Sequence, residues 1–585
     1  MKAVTPVTES STPRDVLHAL VGTERGSPLE ALATVMTEAT ELEDFRPLSQ
    51  CLEWRLADAY WDQKGVLPFV RNDVPYLVNN TGRLSENAAA LVFAALNEAR
   101  SSLPQRLTIL ELGAGTGLHA RFFLDAFAAL CQQAGSDLYD RLTYLVTDRF
   151  EAAVAGWQRD GVFAEHQAHV VLQGCDANAP LASLGGATPL SLEAPVAIFC
   201  NYLLDVLPSR IARRGVAGPE GPGALEDLCV RTHLAGGAAA LRGTTFSSLA
   251  EARAAAASGQ FADLLRLLPL LPQLELETVY RPWTPAAGPE AELAAAVPEG
   301  QRAIINSGAL ACLDQLCERL HPAGLILIND YGPVRVEDIA THLGVQRFGG
   351  SVALGLSFPL LERALGARGM EVASPDGDEQ RRVHTRLSAR RIGPRTREAL
   401  RARFSLPADQ HLDAPLDEAR AHVAAGRQQP ALDAYRELIA RNPRDWQMLG
   451  EAAEYVGLQL RDYAAGLQLV RAALDRNPWY SSWLWNVLGD CLFYREKLED
   501  AHAAFLQAAR VDPDDPRTNL NLAYTLSARG DQPAALAAIA RGLAHDGRGV
   551  YRPRLLEKQA QVLALVSERA AAEQNRLVRR AERFR

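Results

Sequence analysis

Residues 107–117, LTILELGAGTG, decide the fold. Six mostly apolar residues run without a break into a GxGxG turn, and a helical pattern starts at Leu118. A strand that meets a glycine turn and then a helix opens a doubly wound α/β sheet. The glycines let the backbone pass beneath a ligand where a side chain would collide. The same rhythm continues outward: short apolar runs at 144–147, 169–172, 196–200 and 324–329 alternate with helical segments. Two further runs, 370–373 and 383–390, are candidates for the far edge of the sheet. An insertion at 209–300, with a Gly/Pro loop at 215–223 and Ala-rich helical stretches, follows the fourth strand. There it is placed to build a substrate pocket or lid.

Residues 1–100 read as a helical N-terminal region, and 101–395 as the α/β domain. From 410 to 585 the pattern is helical only and repeats. Asn442-Pro443, Asn477-Pro478 and Asp512-Pro513 recur 35 residues apart. Aligned on those prolines, Trp485, Leu488, Gly489, Ala501, Phe505, Ala508 and Pro513 fall at the signature positions of a tetratricopeptide repeat. Ala431 and Tyr435 mark a first repeat, Ala473 and Pro478 a second, and Leu522, Ala523, Leu526 and Ala535 a fourth, with a capping helix from Leu555. Such repeats stack into a solenoid whose groove suits a protein or peptide, and Trp479, Tyr480 and Trp483 are candidate exposed anchors.

The 585 residues, 48% hydrophobic and 22% charged, describe a globular chain with more than one core. A net charge of −9 disfavours a nucleic-acid partner. No apolar run approaches the ~18 residues of a membrane span. Residues 1–13 lack the apolar core of a signal peptide, so the expected compartment is cytoplasmic. Eight scattered cysteines without a CxxC pair suggest neither a disulfide framework nor a metal site. His119, His321, His342 and His384 are isolated and read as structural or surface histidines.

Three features turn the glycine loop toward S-adenosylmethionine rather than a dinucleotide, which would call for GxGxxG. They are Glu111 two residues before Gly113, the Gly113-Ala114-Gly115-Thr116-Gly117 spacing, and acids ending the next two strands. Asp148 is placed to accept from both ribose hydroxyls, and Asp176, followed by Ala177, from the adenine amino group. Asn201, at the end of the fourth strand, completes the cofactor set.

At this point "ELGAGTG" (111–117), "NYLLDVLP" (201–208), "LILINDYG" (325–332) and "GGSVALGLSFPLLE" (349–362) resemble the MidA family of class I S-adenosylmethionine-dependent methyltransferases over residues 45–395. The segment "VPYLVNNTGRLSENAAALVF" (74–93) is similar in place to the family's cofactor-contacting segment, which adds Thr81 and Gly82 to that set. The resemblance implies a methyltransferase acting on a protein; mitochondrial members are arginine methyltransferases. The family's NE pair is here Asn201-Tyr202 and its DF pair Ser357-Phe358, so two carboxylates that could fork a guanidinium are absent. The acceptor residue stays open. Asp205 remains the candidate that hydrogen-bonds or deprotonates the nucleophile, and Tyr202 offers an aromatic wall. Two alternatives stand beside this reading: a small-molecule methyltransferase whose repeats make a homodimer, and a non-catalytic assembly factor that binds S-adenosylmethionine.

Overall fold

The computed structural model describes residues 39–74, 80–185, 194–216, 223–285, 289–295, 297–341, 345–405 and 416–583. Its first element corrects the expected helical start: Thr40–Pro47 (TELEDFRP) is a strand, β1. Glu and Leu favour helix by only a few tenths of a kcal/mol each, and pairing with a long partner strand outweighs that preference. Helices α1 (Leu52–Lys64) and α2 (Arg83–Glu98) follow.

Strands β2 (Leu107–Leu112), β3 (Leu142–Asp148), β4 (Val170–Gly174) and β5 (Ala197–Asn201) come next, each within two residues of an apolar run read from the sequence. The insertion supplies β6 (Arg210–Arg214), β7 (Leu225–Leu234), β8 (Leu274–Pro282) and β9 (Arg302–Ile305). Then come β10 (Leu325–Asp330), the small hairpin β11 (Gln346–Phe348) and β12 (Ser351–Ala353), β13 (Glu371–Ala373) and β14 (His384–Ala389).

The main sheet has the order β13-β14-β10-β5-β2-β3-β4, with the five strands from β10 to β4 parallel and β14 antiparallel to both neighbours. Every residue of β2, β5 and β10 is buried, as expected where helices cover both faces. Helices α3 (Leu118–Ala134) and α4 (Glu151–Asp160) are joined later in the chain by α5 (Ser307–Arg319) and α6 (Phe358–Ala367). Leu313 and Leu316 of α5 and Phe358 and Leu361 of α6 share one apolar core with Ile198 and Ile326 of the sheet. Successive strands run outward in opposite directions from β2, so the switch point lies between β2 and β5. Open α/β sheets bind ligands there, beyond the carboxyl ends of the strands.

The insertion is less helical than its Ala content suggests. β7 pairs antiparallel with β8 along one edge and with β1 and β6 along the other, and β9 extends the sheet beyond β6. Helices 249–258 and 261–267 pack on it through Ala252, Ala256, Leu264 and Leu267. Residues 217–222 of the expected Gly/Pro loop lie outside the described residues.

The chain divides into two compact units, one of Met1–Gly65 with Ser85–Leu406, the other of Val66–Leu84 with Pro407–Arg585. The second unit is built of paired helices. After a helix at 416–424 come α7 (Gln428–Arg441), α8 (Trp446–Glu454), α9 (Tyr463–Leu474), α10 (Ser482–Tyr494), α11 (Leu498–Val511), α12 (Pro516–Ala528), α13 (Gln532–His545) and α14 (Arg552–Glu582). Tyr480 is not an exposed anchor. Its amide donates to Asn477 Oδ1, which folds the turn, and the residue is 3% exposed. Trp479 and Trp483 are half-buried, and the Trp483 indole N–H donates to Glu454.

Small residues set the spacing of the pairs. A Cβ on Gly489 of α10 would lie 2.3 Å from Cε1 of Phe505 on α11, and Phe505 is itself 1% exposed. Gly489→Ala should therefore destabilise the repeat unit. The ~1 kcal/mol gained from helix propensity is smaller than the ~1–3 kcal/mol cost of overpacking. A lowered thermal transition is expected, and a raised one would mean that the two helices have room to spare.

Candidate functional site

The GxGxG turn is shaped by its glycines. Gly113, Gly115 and Gly117 have φ of 63°, 55° and 75°, a left-handed conformation that other residues adopt at a cost. Gly115 N donates to Asp148 Oδ2 at 2.9 Å, Ala114 N to the Thr147 carbonyl at 2.8 Å, and Trp157 Nε1 to the Gly115 carbonyl at 3.0 Å. The turn after β2 is thus tied to the ends of β3 and α4.

Asp148 is buried, and its other oxygen accepts from Phe150 N at 3.1 Å. Burial raises its pKa to about 6, only partly opposed by those amide donors. On the neighbouring strand, Asp148 pairs with Gly174, which places half-buried Asp176 two residues beyond. Asp176 Oδ1 accepts from the backbone and side-chain nitrogens of Asn178, both at 2.9 Å, and Ala177 beside it is buried.

Glu111 faces inward. Tyr144 OH donates to its Oε2 at 2.9 Å, and His119 Nδ1 lies 3.0 Å from its Oε1. This carboxylate braces β2 against β3 and α3. Thr81 and Gly82 are buried and belong to the second compact unit, whereas the other candidates belong to the first.

A second cluster gathers after β5. Asn201 pairs with Asn329 across the β5–β10 register; its Oδ1 accepts from Asn329 Nδ2 at 2.8 Å, and its Nδ2 is buried without a partner among the described residues. Tyr202 has φ of 51°, uncommon for a bulky residue, and is held there by donating its amide to the Asn329 carbonyl at 2.8 Å. Its ring lies 5.2 Å from that of Tyr331, and its buried hydroxyl makes no well-formed hydrogen bond. Asp205 is 5% exposed, with Oδ1 unpaired.

The sequence did not single out the partner of Asp205. Asp330, at the end of β10, accepts from Leu204 N at 2.9 Å, Asp205 N at 3.2 Å and Tyr331 N at 2.9 Å. Burial, then the charge of Asp330, pushes the Asp205 carboxyl well up, while burial raises Asp330 to about 6. Two buried carboxyls this close cannot both ionise readily, so the pair holds a proton near neutral pH. Its only sequence signal was the position of Asp330 at a strand end inside "NDYG".

The two clusters meet at the switch point, where a Cβ on Gly113 would lie 2.9 Å from Leu203 Cδ1. Beyond them, Ser357 is buried and its amide donates to Asn306 Oδ1 at 2.9 Å. His384 lies 3.2 Å from Asp378, and His321 accepts from Ala323 N; His342 lies outside the described residues. All eight cysteines are buried and free. Among the described residues, no cluster of His, Cys, Asp and Glu is arranged to hold a metal ion, and no helix is long and apolar enough to cross a membrane.

No family model matches the chain. Among curated proteins, BBSome complex member BBS4 of Xenopus tropicalis is 30% identical over 106 residues, 18% of this chain and 20% of that one. The mouse protein of the same name is 33% identical over 95 residues, 16% and 18% of the two chains. The chain therefore spans about a fifth of the length of these relatives. Among solved structures, a COG1565 superfamily member and likely methyl transferase from Burkholderia thailandensis, bound to S-adenosyl-homocysteine, is 18% identical. It matches with a TM-score of 0.34, covering 62% of this chain and 73% of that one. TTC0263, a tetratricopeptide-repeat protein of Thermus thermophilus, is 24% identical with a TM-score of 0.23, covering 27% and 84%. The chain is similar to COG1565 superfamily proteins in its α/β part and to tetratricopeptide-repeat proteins in its helical part.

Proposed function

We propose that the chain is an S-adenosylmethionine-dependent methyltransferase that acts on a protein or peptide side chain, with the repeats serving protein recognition. One observation carries this reading: a GxGxG turn at the switch point is bonded to Asp148, with Asp176 at the end of the next strand. The residues fit the cofactor. Positive-φ glycines leave an open backbone cradle, and Asp148 and Asp176 are acceptors suited to ribose and adenine donors. Asn201 Nδ2, Tyr202 OH and Asp205 Oδ1 are buried and make no well-formed hydrogen bond among the described residues.

S-adenosylmethionine supplies an electrophilic methyl group. Gly113, Ala114, Gly115, Gly117, Asp148, Asp176, Ala177 and Asn201 would hold the cofactor, while Glu111 braces the turn from behind. Methyl transfer is an in-line substitution, so alignment and water exclusion matter most, and a base is needed only for a protonated acceptor. The backbone of Tyr202 fixes its ring at the acceptor side, and Asp205, in its ionised form beside Asp330, would take up the acceptor proton.

The test is incubation of the full chain with methyl-labelled S-adenosylmethionine and proteins captured by the chain. Label in a protein supports the proposal. Label confined to small molecules favours the small-molecule alternative, and no transfer to either counts against catalysis.

A further inference from the structure

The Asx-Pro turns between repeats stand at the starts of α8, α10 and α12, 35 residues apart, so they recur along one edge of the repeat unit. Two of them grip a piece of the same chain that is remote in sequence. Arg71 donates through Nε to Asp512 Oδ2 at 2.8 Å and through Nη2 to Asp512 Oδ1 at 2.6 Å, a two-bond fork. Nη2 also reaches Asp514 Oδ2 at 3.1 Å. The Asp512 side chain is only 5% exposed, which strengthens a charge-assisted fork. Two repeats earlier, Trp446 Nε1 donates to the Asn80 carbonyl at 2.5 Å in a buried contact.

The two grips differ in kind. The indole reads a main-chain carbonyl and is indifferent to sequence, whereas the aspartates read a guanidinium. Together they pair one main-chain contact with a charged side-chain pocket, the combination by which a protein surface holds a peptide with both affinity and selectivity. Arg71 and Asn80 lie between α1, which ends at Lys64, and α2, which begins at Arg83, and both belong to the compact unit of the repeats.

We propose that this edge is a peptide-binding surface whose resident ligand is the chain's own stretch bearing Arg71 and Asn80. An external partner using the same edge, a peptide that offers an arginine to Asp512 and Asp514, must displace that stretch. The proposal does not depend on the methyl-transfer reading. Tethering gives the resident a high effective concentration, so free peptide competes poorly until the resident is weakened.

The experiment uses the full chain and, as probe, a fluorescent synthetic peptide of residues 66–84 followed by anisotropy. The Arg71→Ala chain should bind the peptide at least tenfold more tightly than the wild-type chain does. A peptide carrying Arg71→Ala should bind that chain at least tenfold more weakly, and adding Asp512→Asn to the chain should remove the preference. Arg71→Lys, which keeps the charge but not the fork, should give an intermediate gain and serves if Arg71→Ala does not fold. Equal binding to wild-type and variant chains, indifference to the arginine of the peptide, or no binding to any chain would overturn the proposal.

Discussion

Replacing Asp205 with asparagine should lower kcat at least about a hundredfold, the lower end of what a positioned base contributes, while leaving S-adenosylmethionine affinity within about twofold. The amide is nearly isosteric and cannot take up a proton, so the loss falls on the chemical step. Asp205 is suited to the task because its Oδ1 is buried and unpaired, and because burial beside Asp330 raises its affinity for a proton. The pH dependence has a definite sign. Asp330 sits at about 6 and Asp205 is pushed up further, so the proton held by the pair sits on Asp205, its base form is gained as pH rises above that region, and kcat should increase with pH. Single-turnover rates measured from about pH 5 to about pH 9 check this. A variant that keeps full kcat would remove Asp205 from the mechanism.

Asp148→Ala should weaken S-adenosylmethionine binding by about 1–3 kcal/mol, or roughly five- to 150-fold, because it removes both the ribose acceptor and the Gly115 anchor. The wild type should show the same group in its titration. A ligand that donates to the Asp148 carboxylate favours the charged form, so binding should release a proton at pH just below about 6 and weaken as pH falls further. The stability of the free chain moves the other way. The pKa of Asp148 in the folded chain, about 6, lies above its ordinary 3.8, so its contribution to folding is greatest below that lower value and declines as pH rises toward the upper one. Calorimetry in buffers of different ionisation heat measures the proton release; its absence would mean that the ligand does not engage this carboxylate.

The parallel sheet was legible because fully buried strands are continuous apolar runs, and the chain bounds each with a turn or a helix. The glycine turn and its two acids were legible for a related reason: sequence spacing along parallel strands maps directly onto one edge of the sheet. β1 was not legible. Its Glu- and Leu-rich residues carry a helical bias, and only the remote β7 makes them a strand. The insertion sheet was hidden in the same way by Ala-rich helices that pack upon it. Asp330 escaped notice because its role depends on the amides of Leu204 and Asp205, about 125 residues away. The Arg71–Asp512 fork, 441 residues apart in sequence, has no local signature at all.

The measurement that bears most directly on the central claim is a calorimetric titration of the full wild-type chain with S-adenosyl-homocysteine and, separately, with NAD. Binding of one S-adenosyl-homocysteine per chain at micromolar affinity, with no heat from NAD, is the expected result. NAD binding without S-adenosyl-homocysteine binding would contradict the assignment of the GxGxG site.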